Sequence, residues 1–95
     1  MAAVLYRETV SYSRSWITIL LEPEALQITK IPLLRIPISN ITSFGILEKY
    51  RHHELTLAYM MPNNTFRAFT FNTNHPAEWR EHFRACGITE IEPLI

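Results

Sequence analysis

The stretch NNTFRAFTFNTNHPAEWREHFRACG, residues 63–87, decides the fold. Its first half repeats every second residue, and its second half every three to four. Asn63-Asn64 adopts positive φ at low cost and marks a hairpin. Thr65 to Phe71 then reads as a strand, with Phe69 and Phe71 on one face and Phe66 on the other. From Asn74 the period changes. Asn74 can cap a helix, Pro76 falls in the first turn where its missing N–H costs nothing, and Glu78 suits that end of the helix dipole. Trp79, Phe83 and Cys86 stand at i, i+4 and i+7 and form one apolar stripe, with Arg80, Glu81 and Arg84 on the wet side. Gly87 supplies the left-handed stop.

Upstream of this switch the chain reads as strands. Val4, Tyr6, Val10 and Tyr12 recur every second residue, interrupted by Glu8. Ser13-Arg14-Ser15 is a polar turn, and Trp16 to Leu21 is rich in aromatic and β-branched residues. Glu22-Pro23-Glu24 ends that strand. Ala25 to Ile31 alternates again with Leu26 and Ile28 inward, and Pro32 and Pro37 bracket a short strand, Leu33 to Ile36. Ile38, Ile41 and Phe44, three apart, suggest a bend. Thr42 to Tyr50 is strand five, and Leu55, Leu57 and Tyr59 mark strand six. Downstream, Ile88 and Ile91 could place a last short strand in the tail, Ile88 to Ile95. Six or seven strands followed by a helix imply an α+β, mainly β domain: a β-barrel or roll with one C-terminal helix, at about residues 75–86, as its plug. Trp79 and Phe83 are its expected structural core.

Composition limits what the domain can do. Ninety-five residues make a single domain over 1–95 with one modest core. Nine Lys and Arg balance nine acidic residues, all of them Glu. This balance argues against a nonspecific nucleic-acid binder, which carries a basic excess. It also lowers repulsion between copies, so self-association is expected. The single cysteine, Cys86, excludes an internal disulfide. The opening MAAVLYRETV has no basic region followed by an apolar run, and no apolar stretch approaches the ~20 residues that span a bilayer. A cytoplasmic protein is the expectation, with at most peripheral membrane contact.

Three stretches resemble the pleckstrin-homology superfold, especially the short bacterial PH-like domains. ALQITKIPLLRIPISNI, Ala25 to Ile41, is similar to that family's strand and turn leading into the second sheet. Leu55 to Phe71 is similar to its late hairpin. PAEWREHFRACG, Pro76 to Gly87, is similar to its closing helix, with Trp79 where these helices often carry a tryptophan. The resemblance implies a bent antiparallel barrel of about seven strands in two sheets, capped by the C-terminal helix, and a binding module rather than an enzyme. Lipid-binding members of the family use a basic set on the first two strands and their loop. SYSRSWITI offers only Arg14 there, which argues against the usual phosphoinositide site.

No cluster declares a chemistry. Two distant glycines, Gly45 and Gly87, exclude a nucleotide loop. His82 and Cys86 share a helix face, but zinc needs three or four converging ligands and no CxxC or HExxH is present, so no metal or cofactor is expected. Cys86 falls near the helix C-terminus, where the dipole disfavours a thiolate, and it reads as an inert thiol. Paired-carboxylate catalysis has no evident pocket, and the glutamates read as scattered over the solvent side.

The densest polar run is Glu48-Lys49-Tyr50-Arg51-His52-His53-Glu54, at the turn between strands five and six. Lys49, Tyr50, Arg51, His52 and His53, together with Arg14, are the candidate binding residues. The basic and histidine side chains would hold an anion or a partner more strongly below about pH 6.5. The competing reading is a solvated hairpin tip whose glutamates cancel its charge. Tyr6, Tyr12, Tyr50, Tyr59, Phe66 and Trp16 are many aromatics for so short a chain. Most belong in the core, and any left exposed point to a protein interface.

The expected function is therefore a non-catalytic protein-interaction module, self-associating or a small subunit of a larger assembly, with no small-molecule substrate evident. The alternatives are an anion or lipid-headgroup reader and, third, a small metal-binding protein or enzyme.

Overall fold

Among the described residues seven of the eight strands pair antiparallel, as the alternating sequence requires. The computed structural model describes residues 3–30 and 32–92. The first sheet has the order β1-β2-β3-β4, from β1 (Tyr6–Tyr12), β2 (Ser15–Leu21), β3 (Ala25–Ile28) and β4 (Leu34–Pro37). The second has the order β7-β6-β5-β8, from β5 (Ile41–Lys49), β6 (His52–Met60), β7 (Phe66–Thr73) and β8 (Thr89–Glu90). A 3-10 turn at Ile38–Asn40 links the sheets and accounts for the threefold spacing there. Helix α1 (Pro76–Ala85) follows β7. The fold is a small α+β domain of two sheets and one helix, and no closed barrel forms among the described residues.

Turn chemistry fixes the register. Ser13 and Arg14 both take positive φ, 49° and 67°, in a two-residue turn whose twist matches that of its strands. Tyr12 therefore faces Ser15, and Ser11 faces Trp16. Asn64 supplies the left-handed residue of the β6–β7 turn (φ 64°), and the Thr65 N–H donates to the Asn63 side chain at 3.1 Å. β5 is irregular between Ile41 and Ser43, where the Thr42 hydroxyl donates to the Ala58 carbonyl at 3.1 Å. β8 pairs parallel with β5, with Ser43 facing Thr89. It contains neither Ile88 nor Ile91, and residues 31 and 93–95 of the expected strands lie outside the described residues.

The inward faces of both sheets and the helix stripe meet in one core. Ile19, Leu21, Phe44, Leu55, Leu57, Trp79 and Phe83 are fully buried. The Trp79 ring stacks on Phe83 at 5.2 Å and meets Tyr6 and Phe71 edge-on at 4.8 and 5.8 Å, favourable aromatic geometries.

Two sequence expectations change here. Asn74 does not cap the helix: His75 is the cap residue and makes no side-chain cap bond. The Thr73 hydroxyl instead accepts from the His75 N–H at 2.9 Å, and the Asn74 N–H donates to Glu8 at 3.0 Å. Glu8 is thus not on the solvent side. Its buried carboxylate also accepts the Trp79 indole N–H at 2.7 Å and the Thr73 hydroxyl at 2.5 Å. None of these donors is a cation, and together they tie β1 of one sheet to the corner where the other sheet becomes helix. Buried polar groups need such partners, which is why an acidic residue can occupy an inward strand position.

The helix stops as expected. Gly87 takes φ 82°, the Ile88 N–H donates to the Phe83 carbonyl and the Gly87 N–H to that of Arg84, both at 3.0 Å. This is a Schellman motif, with Ile88 buried beyond it. Arg80 and Arg84 both bind Glu90, at 3.0 and 2.6 Å, and hold β8 beside the helix.

Candidate interaction surface

Six residues before Arg14 on the same hairpin, Glu8 touches Thr73, and four residues after Glu8 the Tyr12 ring lies 5.3 Å from Phe69. β1 therefore runs alongside β7 in the opposite direction. The same count continues to Arg14 and Arg67, which fall at one end of this seam, while helix α1 begins at the other.

Around the Arg14 end the sequence leaves charge and apolar surface uncovered. Trp16 follows the turn on the outer face of its sheet and is 72% exposed. Beside it, Tyr12, Trp16, Ile17, Thr29 and Lys30 line an open groove of about 590 Å³. Thr29 brings Lys30 there: its hydroxyl accepts the Thr18 N–H at 2.8 Å, and its own N–H donates to the Thr18 carbonyl at 3.1 Å. Leu33 in the β3–β4 loop and Phe66 at the start of β7 are also exposed. Among the described residues Arg14, Lys30 and Arg67 form no ion pair, and no glutamate occurs at positions 9–21, 25–47 or 55–77. Three cations and three large apolar side chains share this end without an acid.

The hairpin tip at Lys49 to His53 is a separate place. His53 faces Thr73 across the β6–β7 ladder, so the tip lies at the helix end of the seam. Phe69 and Thr73 are four strand residues apart, about 13 Å at the usual rise per residue, and Arg14 lies beyond Phe69. The structure thus groups Lys49, Tyr50, Arg51, His52 and His53 and leaves Arg14 away from them. The tip also compensates itself. Lys49 lies 3.9 Å from Glu54, and the Arg51 guanidinium sits 5.0 Å over the ring of the exposed Tyr50. His52 and His53 are half-buried within β6, opposite Lys49 and Glu48.

The other candidate chemistry is committed to packing. His82 stacks on Tyr6 at 4.9 Å, and among the described residues no three His, Cys, Asp or Glu side chains converge as a metal site would need. Cys86 is half-buried, and burial raises its thiol pKa. The Tyr6 phenol is pushed above its ordinary value by burial first, and by the carboxylates of Glu78 and Glu8 second. No helix among the described residues is long and apolar enough to cross a membrane.

Sequence reasoning named Arg14 as a binding candidate and Trp16 among the aromatics that could mark an interface, but gave no such role to Lys30, Arg67 or Leu33. The available signal was the long glutamate-free intervals around the three turns, which a whole-chain charge count hides. No protein-family model matches the chain, and no curated protein matches it.

Proposed function

We propose that this chain is a non-catalytic interaction module of PH-like architecture that docks a protein partner on the surface around Trp16. The observation that carries the reading is a tryptophan 72% exposed on a strand, beside Arg14 and Lys30, which form no ion pair among the described residues. Tryptophan and arginine are the residues that most often dominate interface energetics when a partner desolvates them. The groove between Tyr12, Trp16 and Lys30 gives a concave place for an apolar side chain, and the glutamate-free surroundings favour an acidic one. Seven antiparallel strands followed by a closing helix support the PH-like architecture.

The test is the native mass of the complex isolated from the protein's own cells. The expected mass exceeds the 11.1 kDa of one chain, and Trp16→Ser returns it to that of the lone chain without loss of the folded state. A native mass of one chain would overturn the reading.

A second reading, docking on an anionic membrane surface, is favoured by exposed Trp16 and Leu33 beside Arg14 and Lys30, since tryptophan suits the membrane interface. Sedimentation with anionic but not neutral vesicles, lost in Trp16→Ser, would support it over a protein partner.

A further inference from the structure

We propose that the partner is a second copy of this chain, with the Trp16 end of one copy docking head to tail on helix α1 of the next. This rests on the reading above that the Trp16 surface is a docking site.

The charge of the molecule is balanced overall but not evenly spread. The Arg14 end of the β1–β7 seam carries Arg14, Lys30 and Arg67 with no acid. At the other end, residues 78–92 hold four glutamates against two arginines, and the hairpin tip beside them holds Glu48 and Glu54 against Lys49 and Arg51, six acids to four cations in all. Both arginines, Arg80 and Arg84, are bound to Glu90. Glu81 therefore faces solvent without an ion pair among the described residues, and Glu78 meets only His75, at 3.6 Å. The two ends are of opposite sign on one molecule, so copies attract when stacked in the same sense and repel when either end meets its like.

Shape agrees with charge. The positive end projects Trp16, Leu33 and Phe66. The exposed face of α1 presents Ala77, Glu81 and Ala85 at i, i+4 and i+8, small residues that leave room for a ring beside a carboxylate. A contact between two different surfaces of one chain is heterologous and builds rings or open chains rather than closed two-fold dimers. The zero net charge leaves no long-range repulsion to oppose it.

Sedimentation equilibrium of the full chain tests this at about 20 mM and about 500 mM salt, conditions that differ severalfold in screening length. The weight-average mass should rise with protein concentration at low salt, at least twofold, and fall back towards one chain at high salt. Two charge-reversed chains sharpen it. Arg14→Glu/Lys30→Glu and Glu78→Lys/Glu81→Lys should each stay monomeric alone, with native circular dichroism, and should co-assemble when mixed. Trp16→Ser, which leaves both charged ends intact, should also weaken assembly of the native chain. A monomer at every concentration in low salt overturns the proposal, as does an oligomer that persists in Arg14→Glu/Lys30→Glu. If the chain alone is monomeric but its native complex is still lost in Trp16→Ser, docking on a different protein stands and self-assembly fails.

Discussion

The two tryptophans stand near opposite ends of one seam and do opposite things. Trp79 is fully buried, ringed by Tyr6, Phe71 and Phe83, with its only polar atom bonded to Glu8. Trp16 is 72% exposed beside cations that have no ion partner among the described residues. The same side chain closes the fold at one end and is left open at the other. What separates them is whether the polar groups nearby are satisfied. At the Glu8 end an acid that could not be buried alone is matched by three donors, so the site is complete and contributes stability. At the Arg14 end no acid among the described residues pairs with the cations, and Trp16 stays open to solvent, the contrast on which the proposed docking surface rests.

The largest effect should come from emptying the closed end. Trp79→Ala should lose ~3–5 kcal/mol in a urea titration, because it opens a large cavity and also strips a donor from buried Glu8. A near-neutral result would mean that α1 does not close the fold. Glu8→Ala should cost roughly 2–4 kcal/mol, since each buried donor left unpaired costs ~1–3 kcal/mol. A double-mutant cycle of Glu8→Ala with Trp79→Phe, each of which removes one side of the indole bond, should then return a coupling of about 1–3 kcal/mol; zero coupling would reduce the indole bond to a bystander.

The alkaline limb sharpens the same end. Tyr6 has a folded-state pKa above its unfolded value, so the folded chain holds that proton more tightly. Its contribution is fully present below the unfolded pKa of about 10 and is lost as pH rises through the folded one. Stability measured by chemical denaturation should therefore fall above that pH, and less steeply in Tyr6→Phe. The smallest effects belong to the open end and the hairpin tip. Trp16→Ser and Arg51→Ala should each change stability by no more than about 0.5 kcal/mol, as surface substitutions do. A large loss in Trp16→Ser would make Trp16 part of the core and remove the contrast.

Much of the fold was legible because it follows period and punctuation. The alternation of Phe69 and Phe71 against Phe66, the turn at Asn63-Asn64, the Trp79 and Phe83 stripe and the stop at Gly87 all match the structure. Cap chemistry was less so: Thr73 and Glu8 take the bonds that Asn74 was expected to make, and Glu8 is 66 residues away in the chain. A long-range acid of this kind shows in sequence only as an interruption of strand one. The exposure of Trp16 was hidden because β2 is apolar on both faces, Trp16 and Leu20 on one and Ile17, Ile19 and Leu21 on the other. Alternation cannot choose between such faces. The candidate site was legible in its residue types and not in its assembly, since Arg14 and the Lys49 to His53 tip look equivalent until β1 and β7 are laid side by side.

Hydrogen exchange of the two indole N–H groups, followed by NMR and assigned with Trp16→Phe and Trp79→Phe, puts the contrast to its most direct test. The Trp79 proton should persist for a time that lengthens with global stability, because its bond to Glu8 opens only when the helix leaves the sheets. The Trp16 proton should exchange before the first spectrum. Rapid exchange of both protons would contradict the Glu8 anchor, and protection of both in the monomer would contradict the open surface.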